Sequence, residues 1–478
     1  MKVSRKSWLL RALLVACLAL QAACSTGSSH SRQKQQTGGL AGHGNLMLAA
    51  MRATSLAAIR QPVTTTKHGL AILWHRPREI ISGNLPRLTS SKPALAQAAG
   101  TPEFEALLDR KHFPRAESGS LKWLVDGNRF FPELDRQIAA ANKSIFLQVY
   151  IFDNDDIAVR YADILKRRSA DVSVRVLFDD IGSASAYSSA PATLGPRGFV
   201  PSVNMHAYLK DHSKVHSRRI LTPWLAADHT KLFVFDQRCA MLGGMNIGRE
   251  YFSEWHDLMA RVEGPVVDTL SREFRRAWRK AGPWGDLALL RKPAVFRHPR
   301  PGTGGIPLRV LRTDPAEGRY EILKASLLAI SGARKRVWIE NPYFANDDIA
   351  VAVEAAARRG VDVRVIIPAG GDSPIMDAGN LATANGLIRA GAKVFQYPKM
   401  THAKAMICDD WASFGSANFD TMSLRINREL NLAFSHRDAV QDLARQLFEP
   451  DFQQSKRLQL SETQAITNGL AETLADQL

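Results

Sequence analysis

Two stretches of the chain carry the same rhythm of apolar and polar positions. Residues 145–152 and 337–344 are almost continuously apolar. Each is followed at the same distance by an identical set, Asn154, Asp155, Asp156, Ile157 and Ala158 in one and Asn346, Asp347, Asp348, Ile349 and Ala350 in the other. Helical spacing then runs to the arginine pairs Arg167–Arg168 and Arg358–Arg359, and strict alternation resumes over 172–176 and 361–365. An apolar run reads as a buried strand, the 3.6-residue period as a helix and the two-residue period as a second strand. Each copy is therefore a βαβ unit. Upstream helices are expected at 132–141 and 320–331, and further strands at 203–208 and 392–397. An internal repeat of this kind predicts an α/β fold of two pseudo-symmetric lobes, each a mixed, mostly parallel sheet flanked by helices. The lobes are expected over 102–292 and 308–478, joined by the Pro/Gly-rich linker 293–307.

Both copies end in a histidine segment. His229, Lys231 and Asp236 stand in one and His402, Lys404 and Asp409 in the other, each with the spacing HxKxxxxD. A glycine-containing turn with asparagine follows each: Gly243, Gly244, Met245 and Asn246 in one, Gly415, Ser416, Ala417 and Asn418 in the other. One such match can be accidental; two at equivalent places in a repeat are not. Histidine and lysine two apart on a strand project to one face. If the lobes turn these faces together, two imidazoles and two ammoniums converge on one cavity. Lys231 and Lys404, with the amides of Asn246 and Asn418, would then form a donor-rich cradle for a phosphate. One imidazole can attack phosphorus while the other protonates the leaving oxygen. The chemistry requires no metal or cofactor, because protein cations meet the charge.

Asp236 and Asp409 sit at an odd offset from their histidines, so on a regular strand they point away and serve as supporting groups of the motif. Orienting each imidazole needs another carboxylate. Asp257, twenty-eight residues after His229, and Glu429, twenty-seven after His402, are the candidates. Asn246 and Asn418 either line the cradle or simply form their turns. The lobes differ between the last strand and the histidine. Four residues separate Tyr397 from His402, but about twenty separate Tyr208 from His229. That extra loop carries Lys210, His212, Lys214, His216, Arg218, Arg219 and Trp224. It reads either as a contact with lipid headgroups or as a solvated insertion.

Composition narrows the partner. The chain has 478 residues, 45% of them hydrophobic, which excludes a chain disordered throughout. Its net charge of +17 favours anionic partners. Of four cysteines, Cys17, Cys24, Cys239 and Cys408, none forms a CxxC pair, which argues against a zinc site; Cys239 and Cys408 read as buried, with a bridge between them possible. The N-terminus, residues 1–24, reads as an export signal: Lys2, Arg5 and Lys6, then an apolar stretch over 12–23, then Cys24, where a lipid could be attached. Residues 25–101 hold a single acidic residue, Glu79, and read as a basic, largely irregular tether, in which Leu46, Met47, Met51, Leu56 and Ile59 could line one face of a short helix. Such a tether would lie against an anionic membrane surface.

On these residues the chain resembles the phospholipase D superfamily over roughly 117–452. Within it, the similarity is to bacterial cardiolipin synthases. Residues 243–252 carry it, as do 264–267 with Phe274 and Trp278, 341–344, and 415–420. An arginine common in that family two residues after Asp420 is Met422 here. The resemblance implies two phospholipase D-like lobes around one active site and a phosphohistidine intermediate. It also implies carboxylates that cross between lobes, Asp257 to His402 and Glu429 to His229, with His229 as nucleophile and His402 as acid and then base. It further implies a phosphatidyltransferase acting on anionic phospholipids, with hydrolysis to phosphatidic acid as the alternative. A nuclease of the same superfamily is disfavoured, because the chain lacks a basic strip interleaved with aromatics for stacking bases and carries the features of export.

Overall fold

In a computed structural model of the chain, the described residues are 40–83, 94–184, 195–202, 204–223, 226–290 and 305–460. The export signal with Cys17 and Cys24, Trp224 and most of the 293–307 linker lie outside them. Among the described residues three helices precede the first strand: α1 (Leu40–Arg60), α2 (Pro62–Gly83) and α3 (Pro102–Arg110). The first lobe runs β1 (Glu117–Val125), α4 (Gly127–Ala140), β2 (Ser144–Val149), α5 (Asp156–Arg168), β3 (Ser173–Asp179), α6 (Met205–Lys210), β4 (His216–Ile220), β5 (Leu232–Phe235), β6 (Cys239–Gly243), β7 (Leu258–Glu263) and α7 (Val266–Lys280). The second repeats it: β8 (Ile306–Asp314), the short β9 (Arg319–Tyr320), α8 (Glu321–Gly332), β10 (Arg336–Glu340), α9 (Asp347–Arg358), β11 (Asp362–Pro368), α10 (Pro374–Arg389), β12 (Lys393–Tyr397), β13 (Ala405–Cys408), β14 (Trp411–Gly415), β15 (Glu429–Ser435), α11 (Arg437–Leu443) and, after one further helical stretch, β16 (Lys456–Arg457).

One sheet of sixteen strands joins the lobes, in the order β16-β12-β11-β10-β13-β14-β15-β8-β1-β7-β6-β5-β2-β3-β4, with β9 on β8. Its centre is the antiparallel pair β1–β8, and the order outward from there is the same in both directions. Parallel pairing was expected to dominate, but it is confined to the βαβ arms, β2–β3–β4 and β10–β11–β12. The hairpins that carry the histidine segments are antiparallel, as short connections require. Successive residues of β5 serve opposite faces: Leu232 and Val234 join a core cluster under α7 that spans both lobes, and Phe233 and Phe235 join the first lobe's own. This two-sided burial is why the strands read as continuous apolar runs. Cys239 and Cys408 are free; they point into the separate outer cores of the two lobes, so the possible bridge is absent.

Three segments differ from expectation. Of the strand expected over 203–208, the described residues 204–208 form none. Met205 and Leu209, both fully buried, are spaced for a helix face, and Asn204 caps it by accepting from the Ala207 amide at 3.0 Å. The fourth strand of the arm is instead β4, which turns much of the supposed basic loop into an edge strand. Residues 40–83, taken for irregular tether, form α1 and α2. The inner face of α1 is the buried alanine series Ala50, Ala53 and Ala57, the last two packed on Ile181 and Leu221. A short helix was expected here from its larger apolar residues, and α1 is that helix, longer than expected and packed chiefly by alanines, which allow close approach but give a weak apolar signal. Of the larger apolar residues expected to line one face, Leu56 packs on the same cluster, whereas Met51 and Ile59 are 60% and 75% exposed. Finally, α3 was assigned to the first lobe but its Phe104 and Leu108 lie in the second lobe's core, with Phe104 edge-on to Trp411 at 6.3 Å. Arg309 of β8, almost fully buried, pairs with Glu105 and Asp109 of α3.

Phe104→Ala should therefore lower unfolding stability by about 3–5 kcal/mol through the cavity it leaves. Denaturant unfolding followed by Trp fluorescence checks this, and a loss below 1 kcal/mol (roughly what an exposed site gives) would remove α3 from the core.

Candidate active site

The two histidines reach one place because the main chain crosses between lobes on either side of them. The His229 amide donates to the Arg428 carbonyl at 2.9 Å, and the Arg428 amide to the Ala227 carbonyl at 2.8 Å. In the mirror arrangement the His256 amide donates to the Met400 carbonyl at 2.9 Å, and the His402 amide to the His256 carbonyl at 2.6 Å. Each histidine segment is thus paired with the residue just before the other lobe's carboxylate. Glu429 falls opposite His229, with Nδ1 to Oε1 at 3.1 Å, and Asp257 opposite His402, with Nδ1 to Oδ2 at 2.7 Å. The Ser416 carbonyl also lies 3.1 Å from His229 Nδ1. With both Nδ1 atoms engaged, Nε2 is the nitrogen each ring can turn to a substrate.

Glycine decides how close the carboxylate comes. A Cβ on Gly244 would lie 2.1 Å from Asp257 Oδ1, so the turn after β6 admits the carboxylate only as glycine. In the other lobe Ser416 takes the equivalent place and donates to Glu429 Oε2 at 2.5 Å. The lysines are held too: Lys231 Nζ donates to the His229 carbonyl at 2.8 Å, Lys404 Nζ to the His402 carbonyl at 2.6 Å. All six groups are buried.

Electrostatics shows that they share one cleft. Burial holds both imidazoles well below their usual range, and Lys231 and Lys404 push both down further. His402 is depressed by His229 as well. Burial lowers Lys404 to about 8 against the pull of Asp257 and Glu429, and lowers Lys231 well below an ordinary lysine. It raises Asp257 to about 7 and Glu429 to about 8, opposed by the two lysines. An unprotonated imidazole is the form that can attack phosphorus, and a carboxyl–imidazole pair that keeps a proton near neutral pH is a source of acid.

The motif aspartates do not enter the cleft. Asp236 accepts from the amides of Asn142, Lys143 and Ser144 at 2.7–2.9 Å, and Asp409 from those of Arg334, Lys335 and Arg336 at 2.8–3.0 Å. Each pins the chain where it enters the central βαβ strand, from a left-handed backbone conformation with φ 51° and 53°. Asn246 takes the turn-forming alternative: its carbonyl accepts from the amides of Tyr150 and Ile151, and its amide donates to the Tyr251 hydroxyl at 2.9 Å. Asn418 lends its hydrogen bond to Asp420. Sequence reasoning missed the aromatic walls. Tyr150 stands edge-on to His229 at 4.8 Å with Lys231 over its ring, and Trp255 lies 5.1 Å from the His402 ring. The equivalence of Tyr150 and Pro342 in the repeat gave no warning of this, because the aromatic stands in one lobe only.

One group among the described residues has the spacing of metal ligands: His256, Glu340 and Asp451. His256 Nδ1 lies 2.8 Å from Asp126 and Nε2 3.0 Å from Asp451. Burial works against its charge, but these bonds raise the ring well above its usual range, so an imidazolium fills the position a cation would take.

Two histidine–carboxylate pairs and two lysines around one cleft, on a duplicated α/β sheet, define a phospholipase D-type phosphodiester transferase. Comparison with known proteins agrees. The family model for the phospholipase D-like domain of cardiolipin synthase matches residues 134–278 and 327–451. Cardiolipin synthase A of Pseudomonas putida (strain W619) is 31% identical over 355 residues, covering 72% of this chain and 71% of its own. That of Pseudomonas aeruginosa (strain LESB58) is 31% identical over 347 residues, covering 70% and 68%. In fold the chain is similar to phosphatidylserine synthase from Haemophilus influenzae Rd KW20, with TM-score 0.57 and 14% identity over 74% of this chain and 92% of that one. The chain belongs to the cardiolipin synthase family of phospholipase D-like proteins. It is an enzyme of the phosphatidyltransferase type in the phospholipase D superfamily.

Asp257→Asn should cut kcat by roughly 10²–10⁴-fold, the range for losing aligned acid–base help, and Gly244→Ala should reproduce a large part of that loss while binding substrate normally. Steady-state kinetics on both variants, with melting curves as control, checks this. Because burial and the two lysines depress His229, the acid limb of kcat/KM should fall below pH 6.5, the ordinary imidazole value, and Lys404→Met should move it upward. A limb at or above 6.5 in the parent contradicts the electrostatic reading.

Proposed function

We propose that this protein transfers a phosphatidyl group from one phospholipid to an alcohol, with His229 as nucleophile and His402 as acid and then base. The observation that carries the reading is the pair of crossed contacts, His229 with Glu429 and His402 with Asp257, around two buried lysines. A phosphodiester brings negative charge to imidazoles that are depressed by burial and then by Lys231 and Lys404. Its arrival favours the protonated form of His402, drawing on the proton that the Asp257 pair retains. His229 Nε2 then forms a bond to phosphorus as the bond to the leaving oxygen breaks, and that oxygen takes the proton from His402 Nε2. Lys231 and Lys404 stabilise the charge on the remaining phosphoryl oxygens. In the second half, an alcohol gives its proton to His402 Nε2 and its oxygen bonds phosphorus as the P–N bond breaks. A second phospholipid as acceptor gives a cardiolipin-type product; water would give phosphatidic acid. Anionic phospholipid is the substrate class the charge and the cationic cleft support. Residues 1–24 support a place in the cell envelope, with Cys24 as the point of lipid attachment.

Labelled phosphatidylglycerol, with and without a second alcohol, should yield a transfer product; phosphatidic acid alone would assign hydrolysis. An ester whose p-nitrophenolate leaves without acid help separates the histidines. His402→Ala should still release a burst of nitrophenolate and trap label on the protein, whereas His229→Ala should do neither. The reverse pattern would exchange the two roles.

A further inference from the structure

The large apolar side chains exposed on this molecule are concentrated in one region. Ile59 on α1, Val63, Leu70 and Trp74 on α2, and Trp284 and Leu287 beside them are all at least 57% exposed. Outside α1, α2 and the segment 284–290, the described residues expose only Val200 and Leu460 in this way. The patch is continuous. Gly285, which starts the short helical turn Gly285–Leu290, packs so closely on the helix junction that a Cβ there would lie 1.8 Å from the Arg60 carbonyl. Asp286 of the same turn accepts from the Thr64 amide at 3.0 Å and its hydroxyl at 2.6 Å. On α2, Val63, Leu70 and Trp74 recur at seven and four residues, a single stripe. The opposite face holds Thr64, Thr65 and His68, all buried.

Next to this patch runs a groove of about 900 Å³, lined by Arg60 of α1, Lys210 of α6, Lys214, Arg218 and Arg219 of the β4 region, and Trp278. Burial and neighbouring arginines depress Lys210 and Arg218, as cations crowded together must be. Asp180, the carboxylate at its edge, is already shared by Arg52 and Arg219. The groove therefore carries a surplus of positive charge beside an apolar stripe. The inner side of the same helix leads to the active site: Ile72 packs on Ala226, Met422 and Ile426, which lie close in sequence to His229 and to the Asn418 turn.

Resting on the phosphatidyltransferase reading, we propose that α1, α2 and the turn Gly285–Leu290 form a docking face for an anionic lipid bilayer. The apolar stripe enters the acyl region, and the groove along β4 receives headgroup phosphates. Charge selects this occupant. A second copy would bring one cationic groove toward another, whereas a bilayer supplies an apolar interior and an anionic surface together. No helix among the described residues is long and apolar enough to span a membrane, so this face would seat the protein at the interface. Seated so, α2 lies between the lipid and the cluster of Ala226, Met422 and Ile426.

The test uses the full chain and vesicles of equal parts phosphatidylglycerol and phosphatidylcholine, with pure phosphatidylcholine beside them. Leu70→Ser with Trp74→Ser should lower vesicle partitioning by about tenfold or more, as expected when apolar area leaves the interface. Lys210→Glu with Lys214→Glu should abolish the preference for the anionic vesicles. Both should turn over a short-chain, monomeric phosphodiester at the parent rate. In the parent, acyl-chain bromination should quench tryptophan emission, and Trp74→Phe with Trp284→Phe should remove most of that quenching. Unchanged partitioning in both double variants overturns the proposal, as does a parent dimer that Leu70→Ser with Trp74→Ser converts to monomer. A parent that docks by this face yet cannot transfer from the monomeric substrate upholds the docking face and refutes the phosphatidyltransferase reading instead.

Discussion

Everything at the centre of this molecule depends on four main-chain hydrogen bonds that cross between the lobes beside the histidines. They pair Ala227 and His229 with Arg428, and Met400 and His402 with His256. Because a carboxylate is the next residue after each of the two bridging partners, this pairing alone sets Glu429 against His229 and Asp257 against His402. Neither lobe can build a complete histidine–carboxylate pair from its own residues. The duplication thus yields one site rather than two, and the continuous sheet through β1 and β8 fixes the spacing at which the crossing can occur. A backbone register holds better than a side-chain contact against the like charges it brings together, since backbone groups cannot rotate away.

Symmetry of the backbone does not carry through to charge. Before Glu429 stands Arg428, a permanent cation pairing with Asp228 and Asp314. Before Asp257 stands His256, a titratable one between Asp126 and Asp451, with Glu340 close by and Thr401 donating to Glu340. Burial pushes Glu340 well above the carboxylate range, with Asp451 adding to the push, whereas on the other side Arg428 and Lys280 hold Asp314 below that range against its burial. The aromatic walls differ likewise, Tyr150 on one ring and Tyr251 with Trp255 on the other. Two imidazoles in equivalent backbone settings therefore meet different surroundings, which is what a reaction needs if one is to bond phosphorus and the other to move a proton.

Much of this was legible before any coordinates. The βαβ repeat and the two motifs follow from period and spacing, because burial on both faces forces apolar runs; equivalent offsets made Asp257 and Glu429 candidates, and the family resemblance assigned each to the other lobe's histidine. The parity argument also placed Asp236 and Asp409 away from the cleft, and the structure puts them on the loop amides at 142–144 and 334–336. What escaped was set by contacts distant in sequence. Asn246 looked like a phosphate ligand, but its carbonyl is taken by the amides of Tyr150 and Ile151, about a hundred positions away. The stretch 203–208 alternates like a strand, yet Met205 and Leu209 find a helix-shaped pocket. In α1 Met51 and Ile59 face outward, and the alanines that hold the helix in place beside Leu56 are the ones a pattern search passes over.

That inversion bears on how the N-terminal helices are selected. A helix that packs by alanine, threonine and one buried histidine gains little from apolar burial, and its large side chains would favour aggregation if nothing met them. Part of its attachment is polar: Arg52 to Asp180, Thr64 to Asp286, His75 to Tyr320. His68 is held at about 4, neutral, by burial and by the nearby Lys280, so the inner face adds no net charge to a region already crowded with cations. A segment needed only as a spacer would gain from the reverse arrangement, with leucine inward and lysine outward. The polar inner face and apolar outer face make sense together when the outer side meets something apolar and the inner side must lie beside the charged surroundings of Arg428 and Asp314, one residue from the carboxylate that orients His229.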